Sequence, residues 1–540
     1  MTGRGGGSLR HDVIDLTTDV LVVGGGPAAT WAALRAAQAG AEVVLADKGY
    51  CGTSGATAAG GTGVWYVPPE PAAREAAMAS REALGGHLAE RRWKERVLDE
   101  TYAAMNELAD EGRYPFPTAP DGTPLRNGLQ GPEYMRRMRI RIRKAGVRIL
   151  DHSPVTELLT DASGAVAGAQ GLCRQEGGAP YRVRAGAVVL ATGGCAFLSG
   201  ALGCNVNTGD GALLAAETGA ELSGMEFSNA YGIAPEGTSV TKNAFYAFAT
   251  FYDADRRVLE GASVTSRSVI ARALLDGRVY ARLDRADSGA RRSMRLAQPN
   301  FFLPFDRLGI DPFTELFAVT LLAEGTVRGT GGIRLTSDDC ATSVPGLWAA
   351  GDAATREPIC GGFTGGGSHN AAWAISSGIW AGTGAARHAL SLGGRGGTRE
   401  TRPAGGAGLR PTSARGPAEG FRDVISAVQS EVLPYGKNYF RTGDGLTGSL
   451  AALDTVWTEV RATLYGSGRD LLKAREAAAM TAHARWMYAS ALARTETRGM
   501  AKRLDHPALD PAQRHRVVTG GVDRVWTRHD PVPPFQEVTR

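Results

Sequence analysis

A chain of 540 residues and 56.6 kDa is too long for a small binding module, and at ~100–200 residues per domain it has room for several domains or one elaborated enzyme. Its 60 Lys+Arg against 55 Asp+Glu leave a formal charge of +5, too weak a field over this length to make nucleic acid the main partner. The 43% hydrophobic and 21% charged residues are an ordinary globular balance that excludes bulk disorder, and the outlier is glycine, 73 residues or about twice the average ~7% usage, without a Gly-X-Y period.

Residues 1–12 are Gly-rich and polar and read as a flexible tail with no apolar signal core. No stretch offers 18 uninterrupted apolar residues, so the expectation is a soluble, cytoplasmic protein without a membrane partner. Asp19-Val20-Leu21-Val22-Val23 reads as a buried strand, Ala28–Gly40 as a helix, and the run up to Asp47 as a second strand, the βαβ pattern of a parallel sheet. Ala187–Leu190 is another buried-strand run, ending in Ala191-Thr192-Gly193-Gly194. Thr208-Gly209-Asp210-Gly211 precedes a helix, and Val344–Asp352 is a strand that ends in a carboxylate. Residues 391–420 lack apolar periodicity and read as a linker, after which apolar residues at three- and four-residue spacing predict helices. The six cysteines contain no C-x-x-C pair, so no zinc site, in-chain iron–sulfur cluster or disulfide framework is expected, and a reduced compartment fits.

Gly24-x-Gly26-x-x-Ala29 stands directly between the first strand and the first helix, with Asp47 placed 23 positions after Gly24. Strand, helix and acid in register make a dinucleotide fingerprint: glycines turn the chain under a pyrophosphate, the helix N-terminus supplies N–H groups, and the carboxylate takes a ribose hydroxyl. The loop alone does not decide between NAD and FAD.

The later segments do. Together with Ser54-Gly55-Ala56-Thr57-Ala58-Ala59-Gly60-Gly61, Met225-Glu226-Phe227 and Ala493-Arg494-Thr495-Glu496-Thr497-Arg498-Gly499, they resemble the fumarate reductase/succinate dehydrogenase flavoprotein family, which also holds aspartate oxidase and the adenylylsulfate reductase flavoprotein. The resemblance covers nearly the whole chain after residue 12. It implies an α/β fold: a two-dinucleotide-binding, Rossmann-like FAD domain (13–235, returning at 327–390), an inserted α+β capping domain (236–326), the linker (391–420) and a C-terminal helical domain and tail (421–540). It places the FAD pyrophosphate at Gly24, Gly26, Pro27, Ala28 and Ala29, the ribose on Asp47 beside Lys48, and adenine near Val155. Thr53, Ser54, Gly55, Ala59 and Gly60 follow as a second flavin loop, and Ala191, Thr192, Gly193, Asn207 and Asp210 as further contacts. Gly351 and Asp352 would take the ribitol hydroxyls, and Gly367, Ser368 and Ala371 would open a helix aimed at the flavin, whose reduced form is anionic there. Members with covalent FAD carry a histidine where Ser54 falls, so the FAD here is expected to be non-covalent.

The resemblance breaks where the chemistry sits. Tyr231 occupies the histidine position after Met-Glu-Phe, Val327-Arg328-Gly329-Thr330 replaces a second histidine segment, and Phe363 stands where a carboxylate-binding arginine belongs. A site that grips two carboxylates needs cationic donors, so a simple dicarboxylate is not the expected substrate. Ser266-Arg267-Ser268-Val269-Ile270-Ala271-Arg272-Ala273 is kept, and Arg267 inherits by resemblance the proton-shuttling role, with a structural ion pair as the alternative. His369 is a second acid/base candidate, and Tyr231 could orient substrate or simply be a buried aromatic. The aromatic run Ala244–Tyr252 is either a pocket wall or core; Cys51 and Cys360 are read as packing residues. The basic run Arg136–Lys144 is a solvated face or a dock for an acidic ferredoxin-like partner. The expectation is an FAD-dependent oxidoreductase that passes a hydride between flavin N5 and an organic small molecule. The rivals are an electron-transfer subunit with an iron–sulfur partner and a non-catalytic flavin scaffold.

Overall fold

Residues 13–119, 121–241, 243–364, 367–413 and 420–532 are described by a computed structural model of the chain. The strand Ile14–Val23 runs into four fully buried residues, the mark of a central strand covered on both faces. It pairs in parallel with Val43–Ala46 on one side and with Ala179–Leu190 on the other, in register Val20↔Val43 and Val20↔Ala187. Arg148–Leu150 extends this sheet in parallel, Leu347–Ala349 adds to Ala179–Leu190, and Val155–Thr160 and Val166–Cys173 fold back antiparallel at the far side. The parallel strands point their C-terminal ends to one rim, where an open α/β sheet binds ligands.

Two helices cover one face of this sheet, Pro27–Gln38 and Gly367–Leu392. They touch backbone to backbone because Gly378 and Gly382 fall one turn apart: a Cβ there would stand 2.5 Å from the Ala28 carbonyl oxygen and 2.2 Å from that of Ala32.

The part expected as a cap is built on an antiparallel four-stranded sheet, Ala230–Pro235, Phe317–Glu324, Val279–Arg282 and Thr250–Tyr252 in spatial order, which starts before the expected boundary at 236, with the helices Arg267–Asp276, Ser288–Ala297 and Pro299–Leu308. The aromatic run belongs to its core. Phe245, Tyr246 and Phe251 are buried with Phe301, Phe302, Phe305 and Phe317, ring on ring, and only Ala244 of that segment reaches the site cavity.

The C-terminal helices Phe421–Val432, Gly443–Thr463 and Arg469–Ala493 are followed by a β-hairpin, His515–Gly520 with Trp526–Pro531, whose first strand joins Leu222–Ser223. This portion is therefore not purely helical. Residues 391–413 of the stretch expected to be a linker are held by charge: Arg399 pairs with Asp161 at 2.8 Å, Arg410 with Glu157 at 2.8 Å, and Arg402–Pro403 adds to the edge of Val155–Thr160. Residues 1–12 and 414–419 lie outside the described residues. No helix among the described residues is long and apolar enough to cross a membrane.

Candidate functional site

The dinucleotide loop sits where the central strand hands over to its helix. Gly24 has φ 122°, and a Cβ on it would lie 2.3 Å from the Ala191 carbonyl oxygen; one on Gly25 would lie 2.1 Å from Asp47 Oδ2. Gly26 caps the helix with no side chain on its first-turn N–H groups, which leaves them for an anion. Asp47 is 5% exposed; Oδ1 accepts the Gly49 N–H, and Oδ2 has no protein partner. Burial pushes its carboxyl above the usual carboxylate range. A buried carboxylate oxygen without a hydrogen bond, beside an open glycine loop, has the chemistry to accept from a ribose hydroxyl, so these residues fit the dinucleotide half of FAD.

From this loop a cavity of about 1470 Å³ runs along the sheet rim to the cap. That exceeds the ~300–1,000 Å³ of a usual small-ligand pocket and leaves room for a dinucleotide with a second molecule beside it. Pro27, Ala28, Thr53, Ser54, Gly55, Ala59, Gly60, Val155, Ala191, Thr192, Gly193, Asn207, Gly351, Asp352, Ser368 and Ala371 all line it. Ala29 does not: fully buried, it packs within the core instead. Lys48 and Asp210 also border the cavity but hold each other at 2.7 Å, with Glu476 at 3.1 Å from the same ammonium. Burial alone would lower the Lys48 pKa, yet the two carboxylates outweigh it and keep the amine well above its ordinary value. Asp352, which also lines the cavity, is paired with Arg356, whose guanidinium also donates to the carbonyls of Thr326, Val327 and Gly329. Gly365 and Gly366 of the glycine turn before Gly367 lie outside the described residues, as does the side of Gly367.

Two of the three catalytic candidates are placed differently from expectation. His369 does not line the cavity; it is 1% exposed, its ring lies 4.3 Å from that of Trp65, and Nδ1 is 3.3 Å from Ser368 Oγ. Ser368, Asn370 and Ala371 line the cavity, whereas His369, turned ~100° from Ser368 by one step along the helix, packs against Trp65. Tyr231 does border the cavity, but its hydroxyl donates toward the carbonyls of Val432 and Leu433 and accepts from Asn438 Nδ2. Burial holds its phenol far above the ordinary value, so Tyr231 offers substrate a carbon edge rather than a free hydroxyl. Arg267 opens the cap helix Arg267–Asp276 and lines the cavity, with one bond to the Val264 carbonyl at 2.9 Å and no carboxylate partner among the described residues.

Val327 and Phe363 also line the cavity. So do four polar residues that sequence reasoning gave no role: Arg81, Gln298, Glu324 and Arg328. Arg328 Nε is 3.8 Å from Glu324, and Glu324 accepts the Thr241 hydroxyl at 2.7 Å. Met225-Glu226-Phe227 and the Arg494–Gly499 segment meet behind the cavity: Arg494 and Glu226 pair at 2.8 Å with neither exposed, and Glu496 bridges Arg494 to Arg498. The basic run is largely neutralised within the chain, Arg136 and Arg137 by Glu133, Arg139 by Asp151 and Arg141 by Glu107. Cys51 and Cys360 are buried and in no disulfide; burial lifts the Cys51 thiol to about 12, too high for a ready thiolate.

Residues 19–231 match the family described as FAD binding domain, and residues 432–531 match that described as Fumarate reductase flavoprotein C-term. An L-aspartate oxidase of Streptomyces coelicolor is 28% identical over 95% of this chain and 93% of its own length, and one of Rhodospirillum rubrum is 31% identical over 41% of this chain and 69% of its own. A mutant FrdA of E. coli quinol fumarate reductase superposes with a TM-score of 0.81 at 22% identity, covering 97% of this chain and 99% of that one. The adenylylsulfate reductase of Archaeoglobus fulgidus does so with 0.76 at 17%, covering 98% and 97%. With the cavity, the glycine loop and these likenesses in hand, the chain belongs to the fumarate reductase/succinate dehydrogenase flavoprotein family and is an FAD-dependent oxidoreductase.

Proposed function

We propose that the protein passes a hydride between flavin N5 and a carbon of an organic substrate that is not a simple dicarboxylate, held where the FAD-binding part meets the cap. The supporting observation is the composition of that end of the cavity: Tyr231 with its hydroxyl already bonded, Val327 and Phe363 at the three positions where relatives of the dicarboxylate-handling kind carry two histidines and an arginine. A carboxylate set against those three surfaces would be desolvated without a partner, at a cost of several kcal/mol.

FAD supplies the two-electron chemistry when bound. Asp47 would hold its adenosine ribose, the N-terminus of Pro27–Gln38 its pyrophosphate, Asp352 its ribityl chain and the Ser368–Ala371 turn its pyrimidine edge. Ser54, lacking an imidazole, would leave it non-covalent. Arg267 presents the proton-bearing group from the cap side, with its guanidinium steadied by the Val264 carbonyl. On this reading residues 13–235 and 327–390 form the cofactor domain, 236–326 the lid over it, and 421–540 the buttress behind.

The test is a single anaerobic cuvette of purified holoprotein, photoreduced, given fumarate and then air. Silence to fumarate with rapid reoxidation in air is the expected result. Reoxidation by fumarate overturns the substrate reading, and a slow response to both is what an electron-transfer flavoprotein awaiting an iron–sulfur partner gives.

A further inference from the structure

Charges along the cavity pair off unevenly. Asp352 is matched by Arg356, and Arg328 by Glu324. Among the cavity-lining arginines without an ion pair among the described residues are Arg267, from the cap, and Arg81, from the end of the helix Pro71–Glu82; the others, Arg174, Arg422 and Arg469, stand beside Lys48 and at the starts of the helices Phe421–Val432 and Arg469–Ala493. Around Arg81 every other cation of the neighbourhood is engaged: Arg74 with Asp99, Arg91 with Glu75 at 2.7 Å and Glu82 at 2.8 Å, Lys94 with Glu82 at 3.5 Å, Arg92 with Asp338 at 2.6 Å. Arg81 is half-buried in the cavity wall, and among the described residues its guanidinium has neither a hydrogen bond nor an ion pair.

Its position is rigidly set. The Arg81 carbonyl accepts the Gly85 N–H, the Gly85 carbonyl accepts the Gly362 N–H at 2.9 Å, and a Cβ on Gly85 would meet the Cys360 carbonyl at 2.4 Å. The helix end that carries Arg81 is thus fastened to the loop that carries Phe363, the residue standing where a substrate-binding arginine is missing. A guanidinium kept partly out of water without a counter-ion is costly, and the usual resolution is an anion that arrives with the ligand.

We propose that Arg81 is the anion-anchoring residue of the substrate site, and that the substrate is an organic acid with one carboxylate on an otherwise apolar skeleton. This rests on the hydride-transfer reading above. The single charge follows from the division of labour: Arg81 takes the carboxylate in the bidentate manner arginine favours, Arg267 attends the reacting carbon, and Phe363, Val327 and the edge of Tyr231 face the rest.

The experiment titrates the oxidised holoenzyme with butyrate, cinnamate, the neutral isostere cinnamamide, and succinate, and reads the perturbation of the visible flavin band. Wild type is expected to bind the two monocarboxylates ahead of succinate and cinnamamide. Arg81→Gln should weaken cinnamate roughly 30-fold or more while leaving cinnamamide and FAD content unchanged, Arg81→Lys should recover part of the loss, and Arg92→Gln should do nothing. Unaltered cinnamate binding in Arg81→Gln, equal binding of cinnamate and cinnamamide, tighter succinate, or no perturbation by either monocarboxylate each overturns the assignment. Loss of FAD in Arg81→Gln would instead give the arginine to the cofactor. Reoxidation by fumarate is read on wild type alone, so failure of the hydride-transfer reading is told apart from failure of the Arg81 assignment.

Discussion

Adjacent glycines in the dinucleotide loop should fail in different ways, and the difference is measurable. Gly25 does not need a left-handed backbone; what forbids a side chain there is Asp47, because an added Cβ would sit 2.1 Å from Oδ2 and 2.5 Å from Cγ. Gly25→Ala should therefore push the Asp47 side chain out of line and leave the sheet intact. A hydrogen bond to a charged group contributes about 1.5–3 kcal/mol, so the Kd for FAD should rise roughly 10- to 150-fold. Gly24→Ala meets a different obstacle: φ is 122° and the clash is with the Ala191 carbonyl, backbone against backbone, so the parallel pairing of Ile14–Val23 with Ala179–Leu190 must open. Apoprotein of each variant is melted without FAD and then titrated with FAD by flavin fluorescence. Gly25→Ala should melt like wild-type apoprotein and bind weakly, and Gly24→Ala should melt early. Wild-type affinity in Gly25→Ala, within about threefold, would refute the role given to Asp47.

Arg494→Met strips Glu226 and Glu496 of a buried partner and should cost about 3–5 kcal/mol, read as a lowered urea midpoint; a change below about 1 kcal/mol would show the network to be dispensable. Tyr231→Phe removes a hydroxyl bonded to two carbonyls and an amide, so stability should fall by about 1–3 kcal/mol while reoxidation of the photoreduced flavin by air keeps its rate; the reverse pattern would return Tyr231 to the chemistry. Burial, reinforced by Glu226, lifts the Glu357 carboxyl from 4.5 to about 7 against the pull of Arg516 and Ser223. Since the folded value lies above the unfolded one, its stabilisation is complete below about 4.5 and is lost as pH rises through about 7. Glu357→Gln should flatten that decline between about pH 5 and about pH 8, and urea midpoints at both ends that fall as steeply as in wild type would contradict the shift.

What could be read in advance was what depends on neighbours in sequence. The glycine loop, its strand and helix, and the buried runs ending at Leu190 and Ala349 carry their own periodicity, and the sheet assembled from them as such patterns require. Side-chain direction was another matter. His369 sits in a flavin-type motif yet faces Trp65, since one step along a helix turns a residue to another face. The aromatic run at Phe245–Phe251 went to the cap core because Phe301, Phe302 and Phe305, fifty residues later, were there to receive it. Residues 391–413 have no apolar period because charge holds them down, through acids at Glu157 and Asp161 that no local pattern announces. Arg81 was invisible for the opposite reason: its significance is the lack of a partner among the described residues, which only the packed structure reveals.

The Lys48–Glu476 contact has a consequence in time. Its two ends are 428 residues apart. At a synthesis rate of roughly 5–20 residues per second the lysine emerges roughly 20 to 90 seconds before the glutamate that meets it in the cavity wall. During that interval the glycine loop and its strand can already be in place, but the nucleotide's compartment is missing a wall. Flavin capture with full affinity is thus a late event in the birth of the molecule, and yellow colour in a ribosome-bound or truncated product would mark a chain that has reached the helix Arg469–Ala493.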